Sequence, residues 1–356
     1  MITNAQVVPP YNVFVGIDVD SKSYSFTIMN TETATTKSKK TSAHPHLFVK
    51  HLQERLPGAR ILCGYEAGGT GYALYDTLMA HNIECFVVSP NTIPKTAKDM
   101  VKNNRIDSLK LSEALHANRV HSIRVPTAEY RHLRHLIRIY DDHAEQQKKA
   151  KQRIKALLLF ESVPMSDDLT RTRWSYRSIE ALKHIALPMG AKERMQSLIS
   201  DLQYGRTKLA ETLRLIKQYC FTTPAIKEYM DCLISIPGIG IRVASYILGK
   251  IGDPQLLRNP QEIGSFFGIV PTEYSTGDTV ARGSITHTGN AIARDLLVEA
   301  AWVAIRHDTE LRQFYHRIKS RNSRQSGAPK AIVAVARKLT TRIYAVLKNK
   351  RFYEPR

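Results

Sequence analysis

Val13-Phe14-Val15-Gly16-Ile17-Asp18-Val19 is a short apolar run carrying a carboxylate at its end, and its reading decides how the first third of the chain folds. A run of this length, bounded by polar residues, predicts a buried strand. Tyr24 to Met29 then alternates Tyr24, Phe26 and Ile28 with polar partners, so the two strands, separated by Asp18 to Ser23, predict a hairpin. The polar, Thr-rich stretch from Thr31 to Lys40 is a candidate third strand. From His46 to Leu56 the apolar residues Leu47, Phe48, Leu52 and Leu56 follow helical spacing. Arg60 to Tyr65 is a candidate buried strand, ended by Glu66 and the turn-prone Gly68-Gly69. A helix from Thr70 to about His81, a strand from Glu84 to Val88 and a helix from Asp107 to Asn118 complete the order β-β-β-α-β-α-β-α. That order is expected of an RNase H-like α/β layer.

Beyond Pro126 the pattern changes. Tyr130 to Phe160 places Leu133, Leu136, Tyr140, Ala144, Ile154, Leu157 and Leu158 mostly three or four apart, with no glycine or proline. This is a long amphipathic helix whose outer face is rich in Arg and Lys, from Arg131 to Lys155. After Pro188 and Gly190 a second long helix runs from Ala191 to Cys220, and the pair predicts an antiparallel helical arm suited to dimerisation or to gripping nucleic acid. From Tyr229 to about Leu347 the reading is again helical, broken at glycines. The expected domains are therefore 12–125, 127–225 and 228–348.

The 356 residues carry 52 Lys+Arg against 32 Asp+Glu, a formal charge of +20. Nucleic acid is the default partner for such a surplus, because each neutralised phosphate releases a counterion. A 43% hydrophobic content excludes a wholly disordered basic tail. No apolar run approaches a membrane span and the start lacks a secretion pattern, so a cytoplasmic protein is expected. Four scattered cysteines, without a C-x-x-C pair, argue against a zinc site or a disulfide framework.

Three constellations are able to carry chemistry. Asp18 and Glu66 end strands and Asp107 opens a helix; carboxylates gathered on one rim of a sheet suit hard divalent ions that act at a phosphodiester. Taken singly, each acid is as easily an ordinary turn or cap residue, with Asp107 a candidate N-cap. Ser235-Ile236-Pro237-Gly238-Ile239-Gly240-Ile241-Arg242 resembles a helix-hairpin-helix turn, whose backbone N–H groups bind phosphate; the plainer alternative is a glycine turn that lets two helices pack closely. Tyr274-Ser275-Thr276-Gly277-Asp278 and Arg282-Gly283-Ser284-Ile285-Thr286-His287-Thr288-Gly289-Asn290 place hydroxyls on a glycine loop among basic residues, where a hydroxyl is a candidate nucleophile and His287 a candidate phosphate donor.

Together these segments resemble the insertion-sequence transposases of the one-ten group, which include Piv-type DNA invertases and bridge-RNA-guided recombinases. The resemblance is carried by Gly16-Ile17-Asp18-Val19, Tyr65-Glu66-Ala67, Val101 to Leu111, Ile236 to Gly240, Phe266 to Pro271, Tyr274 to Gly277 and Gly283 to Asn290, and spans about Val13 to Tyr353. It implies a RuvC-like N-terminal domain with four acidic Mg2+ ligands, a helical coiled-coil region and a mainly α C-terminal domain with a serine nucleophile. It further implies DNA strand exchange through a covalent protein–DNA intermediate, dimers that pair into tetramers, with metal from one subunit acting beside the serine of another, and a noncoding guide RNA. By position, Asp18 and Glu66 match the first two acids and Asp107 the fourth. The third position holds Asn104, a neutral amide, and the nucleophile position holds Thr276, with Ser275 beside it. Gly238, Gly240, Arg242, Arg282, His287 and Arg294 are the candidates for contact with DNA phosphates. The leading expectation is a transposase or site-specific recombinase of a mobile element. Two other readings stay open: a catalytically impaired nucleic-acid-binding relative, and a RuvC-like metal-dependent nuclease that uses water.

Overall fold

The computed structural model describes residues 11–90, 104–166, 169, 174–276, 279–286, 288–323 and 326–355, with side chains left out at 104 and 273–282. Structural statements below concern these described residues. They divide into two compact units, Met1–Val125 and Pro126–Arg356.

In the first unit the apolar run forms β1 (Val13–Val19), the middle strand of a five-stranded sheet. β2 (Ser23–Asn30) and β3 (Thr35–Ser42) extend it antiparallel on one side, and β4 (Ile61–Glu66) and β5 (Glu84–Val88) extend it parallel on the other, giving the order β3-β2-β1-β4-β5. The centre is apolar on both faces, as expected of strands covered on two sides. Val13, Val15, Ile17, Cys63 and Tyr65 point towards α1 (Pro45–Arg55) and α2 (Ala73–Ala80), whose Phe48, Leu52, Leu74 and Leu78 join the same core. Phe48 meets Phe26 edge-on at 5.0 Å between ring centroids, a favoured aromatic arrangement. Phe14, Leu62 and Val88 point the other way, against Leu111, Ala114 and Leu115 of α3 (Asn104–His116). The order is the one expected from the sequence and fits an RNase H-like layer. One boundary differs: α3 includes Asn104, so Asp107 lies inside its first turn and is not its N-cap.

The second unit is mostly helical. α4 (Ala128–Phe160) and α5 (Tyr176–Lys183) are followed by α6 (Met189–Thr222), α7 (Pro224–Ile234) and α8 (Ile241–Ile251). The 33-residue α4 and 34-residue α6 run antiparallel, because Leu133 and Ile137 share a core with Ile216 and Cys220 while Ile154 and Leu158 share another with Leu198 and Leu202. α9 (Pro260–Phe267), α10 (Ala291–His307), α11 (Thr309–Ser320) and α12 (Gly327–Asn349) finish the unit. Asn259, Asn290 and Asp308 cap α9, α10 and α11, each accepting a bond from the backbone N–H three residues on.

The C-terminal third departs from the helical expectation in one place. Pro271–Thr276 and Thr279–Ile285 form an antiparallel pair, β6 and β7, in which Ser275 faces Val280 and Thr276 faces Thr279. The hydroxyl-bearing segment expected as a glycine loop is thus the end of a strand. Its signal was the alternation through Thr272, Tyr274 and Thr276 before Gly277-Asp278, a dipeptide compatible with a two-residue hairpin turn. Gly277, Asp278 and His287 lie outside the described residues.

Candidate functional site

The register of the sheet brings two of the predicted carboxylates together. β1 and β4 pair in parallel from Val13 with Ile61 to Ile17 with Tyr65, and one step further sets Asp18 beside Glu66. Side chains alternate faces along a strand, so Phe14, Gly16 and Asp18 share a face, as do Leu62, Gly64 and Glu66. Both carboxylates therefore stand on the α3 face, at the C-terminal rim, on strands about 4.8 Å apart. Asp18 is half-buried and Glu66 exposed. The same row continues through Ser25, the partner of Asp18, to Lys40 on the edge strand.

α3 runs antiparallel to β1 and delivers its N-terminal turn to this rim. Ser108 O and Ser112 N lie over Gly16, Leu115 lies over Gly64, and His116 meets Phe14 edge-on at 5.0 Å. Asp107 stands four residues before Leu111 and eight before Leu115, on the helix stripe that faces β1 and β4, so it continues that stripe towards Asp18 and Glu66. Gly16 makes this approach possible: a Cβ there would lie 2.1 Å from Ser108 O and 2.5 Å from Ser112 N. An acid in the first turn also complements the positive end of the helix dipole.

The donors at this rim are hard carboxylate oxygens, which suits a magnesium-like ion. Asp18 and Glu66 are adjacent, and Asp107 shares their end of the sheet. Among the described residues no group of three or more His, Cys, Asp or Glu side chains is gathered closely enough to hold a metal ion. The Asn104 side chain lies outside the description. The four cysteines are free and buried, and burial pushes the Cys220 thiol up to about 12, far from the reactive thiolate range.

In the second unit, Ile236 to Gly240 links α7 to α8. Gly238 has φ +90°, and a Cβ there would meet Ala300 O at 2.3 Å, so this glycine serves the close approach of the turn to α10. Gly240 is different: it caps α8 and faces open space. The Arg242 guanidinium lies over the ring of Tyr140 at 5.0 Å and that of Tyr246 at 5.9 Å. Nearby, burial lifts the Asp141 carboxyl to about 6, against the pull of Lys250 and Arg242. Arg134, one of the predicted outer-face cations, donates to the carbonyls of Gly249 and Lys250 at the end of α8. Arg294 donates to Phe267 O at 3.3 Å, and the Thr288–Gly289 backbone packs against Phe266 and Gly268 at the end of α9. The structure thus gives Arg242 and Arg294 protein partners, places Arg282 in β7, and sets Ser275 and Thr276 at the tip of β6.

Two features escaped sequence reasoning. The cross-sheet row that includes Ser25 and Lys40 requires the register, which no local pattern carries. The buried hydroxyls of Thr27 and Ser108, bonded at 2.9 Å, look in sequence like two ordinary polar residues.

Known proteins resemble this chain in both halves. Residues 15–161 match a transposase domain of the DEDD type of IS110, a class that is typically metal-dependent, and residues 230–316 match the Transposase IS116/IS110/IS902 family. A Sinorhizobium fredii protein, y4qE, is 28% identical over 240 residues, 67% of this chain and 57% of its own length. The transposase for insertion sequence element IS1111A of Coxiella burnetii is 27% identical over 296 residues, covering 81% of this chain and 78% of that protein. The pilin gene-inverting protein of Moraxella bovis is 26% identical over 158 residues, 44% of this chain and 48% of that protein. With a DEDD domain ahead of the second family domain, and homologues named as transposases of insertion sequence elements, the chain belongs to the IS110/IS116 family of insertion-sequence transposases.

Proposed function

We propose that the protein cuts and rejoins DNA at the ends and target of a mobile element through a covalent intermediate on Thr276 or Ser275, with Asp18, Glu66 and Asp107 as metal ligands and Asn104 as a weakened fourth. The observation that carries this reading is the placement of Asp18 and Glu66 side by side on the α3 face of the sheet, with the first turn of α3 brought to the same rim. A bound Mg2+ would supply Lewis-acid stabilisation of charge at the phosphodiester. Asp18, Glu66 and Asp107 would hold the ion through their carboxylate oxygens. The hydroxyl oxygen of Thr276 or Ser275 forms a bond to phosphorus while a DNA ester oxygen leaves. The hydroxyl proton goes to solvent and the departing oxygen takes one up. The reverse attack by a DNA hydroxyl rejoins the strand and frees the side chain, so no external energy source is consumed.

Asn104 supplies an amide oxygen without formal charge, which weakens ion binding relative to a fourth carboxylate. Thr276 adds a β-methyl that restricts χ1 and crowds in-line attack, whereas Ser275 lacks it. In this reading residues 12–125 form the metal-binding domain, 127–225 a coiled-coil arm for dimerisation and nucleic-acid contact, and 228–348 the domain that presents the nucleophile. Dimers pair into tetramers, a noncoding guide RNA reads the DNA sequence, and the Ile236 to Gly240 turn, Arg282 and His287 touch phosphates.

Trapping tests it directly. Full-length protein is incubated with Mg2+ and element-end DNA nicked beside the exchange site, and the denaturation-resistant adduct is digested and mapped. A peptide carrying DNA on Thr276 or Ser275 is expected, abolished by replacing both with alanine. Cleavage that survives the double replacement supports water as nucleophile instead, and absence of an adduct while DNA binding persists defeats the recombinase reading.

A further inference from the structure

Beneath the acidic rim lies a chain of hydroxyls that the reaction does not use. Thr27, on β2 opposite Gly16, is fully buried and sits 2.9 Å from Ser108 Oγ on α3 and 2.9 Å from Ser38 Oγ on β3. Ser108, 1% exposed, donates its single proton to Arg105 O at 3.0 Å. A hydroxyl has one proton to give. Ser108 therefore accepts from Thr27, and Thr27 in turn accepts from Ser38. The chain runs one way across three elements and ends on the backbone of the first turn of α3, two residues before Asp107.

The surroundings make this arrangement costly unless it does something. On its α3 face β2 carries Ser23, Ser25, Thr27 and Met29, and at the fully buried position 27 valine would have the shape of threonine without a hydroxyl to bury. Gly16, in the same cross-strand row, removes the side chain that would hold α3 away, and the Thr27–Ser108 bond then fixes the helix in rotation and height on the bare strand. Asp107, the residue immediately before Ser108, is exposed.

We propose that Thr27 and Ser108 are positioning residues: their bond sets the first turn of α3 so that the Asp107 carboxylate is held towards Asp18 and Glu66. This rests on the reading of those three acids as metal ligands. It predicts that the hydroxyl of Thr27, not its bulk, governs metal affinity.

The test compares Thr27→Val, Thr27→Ser, Ser108→Ala and Asp107→Asn in the full chain. Mn2+ affinity is read by titration of the free-ion electron paramagnetic resonance signal, and amide hydrogen exchange is followed over residues 104–112. Thr27→Val and Ser108→Ala are expected to weaken Mn2+ binding at least fivefold and to speed exchange in that segment, while Thr27→Ser stays within twofold of the parent. If Thr27→Val does not fold, Ser108→Ala and Thr27→Ser carry the comparison. Parent-like affinity in Ser108→Ala or Thr27→Val, with Asp107→Asn weakened, overturns the positioning role alone. Parent-like affinity in Asp107→Asn overturns the ligand reading, and the proposed purpose of the lock with it.

Discussion

Replacing Gly16 with alanine tests the geometry on which the acidic rim depends. The added Cβ would stand 2.1 Å from Ser108 O, 2.5 Å from Ser112 N and 3.1 Å from Leu111 C, all backbone atoms of α3. None is the movable end of a flexible side chain, so the helix itself must retreat, by about 1 Å to reach ordinary contact. Overpacking of this kind costs about 1–3 kcal/mol and sometimes more. The retreat also stretches the 2.9 Å Thr27–Ser108 bond beyond reach, and leaving buried hydroxyls unpaired costs about 1–3 kcal/mol further. Alanine recovers about 0.5–1 kcal/mol through its lower backbone entropy in a strand. The net expectation is a loss of about 3 kcal/mol, confined to the first unit.

The assay has to separate the two units, since a chain of this kind does not unfold in one step. Both tryptophans, Trp174 and Trp302, lie in the second unit, so their fluorescence reports that unit. Urea unfolding of Gly16→Ala should leave the fluorescence transition in place. A separate far-ultraviolet circular dichroism phase should move to lower urea, and amide exchange across α3 should accelerate. Unchanged exchange over residues 104–116 together with an unchanged dichroism transition would refute the close approach of α3 to β1.

Three further outcomes follow from particular residues. Gly238→Ala should destabilise the second unit by about 2–4 kcal/mol, through its positive φ and its clash with Ala300 O, whereas Gly240→Ala should move the melting temperature little and lower DNA affinity several-fold in a salt-dependent filter-binding assay. The Asp141 carboxyl, lifted to about 6, binds a proton in the folded state between about pH 4 and 6 that the unfolded chain has released, so stability falls as pH rises through that window and stays lower above it. Asp141→Asn should therefore raise stability by about 1 kcal/mol above pH 6, after allowance for solvent screening at this half-buried site, and by nothing near pH 4, as read by tryptophan fluorescence melts. Asn104→Asp adds a fourth formal charge to the proposed ligand set and should tighten Mn2+ binding about tenfold in the resonance titration.

The order of elements in the first unit was legible because each strand is a short apolar or alternating run closed by a turn signal, as with Glu66 before Gly68-Gly69. The two long helices were legible for the same kind of reason, an apolar stripe uninterrupted by proline. What the pattern does not contain is register. Asp18 and Glu66 are 48 residues apart in sequence, and their adjacency follows from the parallel pairing of β1 with β4, a contact made only in the folded chain. The β6–β7 hairpin was missed because its strands are short and mix Thr, Ser, Glu and Arg with single Tyr, Val and Ile residues, so the alternation of Thr272, Tyr274 and Thr276 does not stand out from a loop.

The cations show the opposite failure, in which the sequence suggested more than the fold leaves available. Arg242 stands at the start of α8, next to a glycine turn that resembles a phosphate clamp, yet its guanidinium lies over the ring of Tyr140 and near that of Tyr246. Arg294 donates to one carbonyl at the end of α9, that of Phe267, and Arg134 to those of Gly249 and Lys250 at the end of α8. A guanidinium that closes a helix end or covers an aromatic face is worth about 0.5–2 kcal/mol to the fold, and it gives this up if it swings out to a phosphate. Phosphate contacts made at no such cost come from cations without these duties. Lys40 is the one that the register brings to the acid row, on an edge strand two positions across from Asp18. The surplus of +20 is thus divided by the fold: part of it fastens helices to one another, and the part left for DNA is set by which cations have no carbonyl or ring to hold.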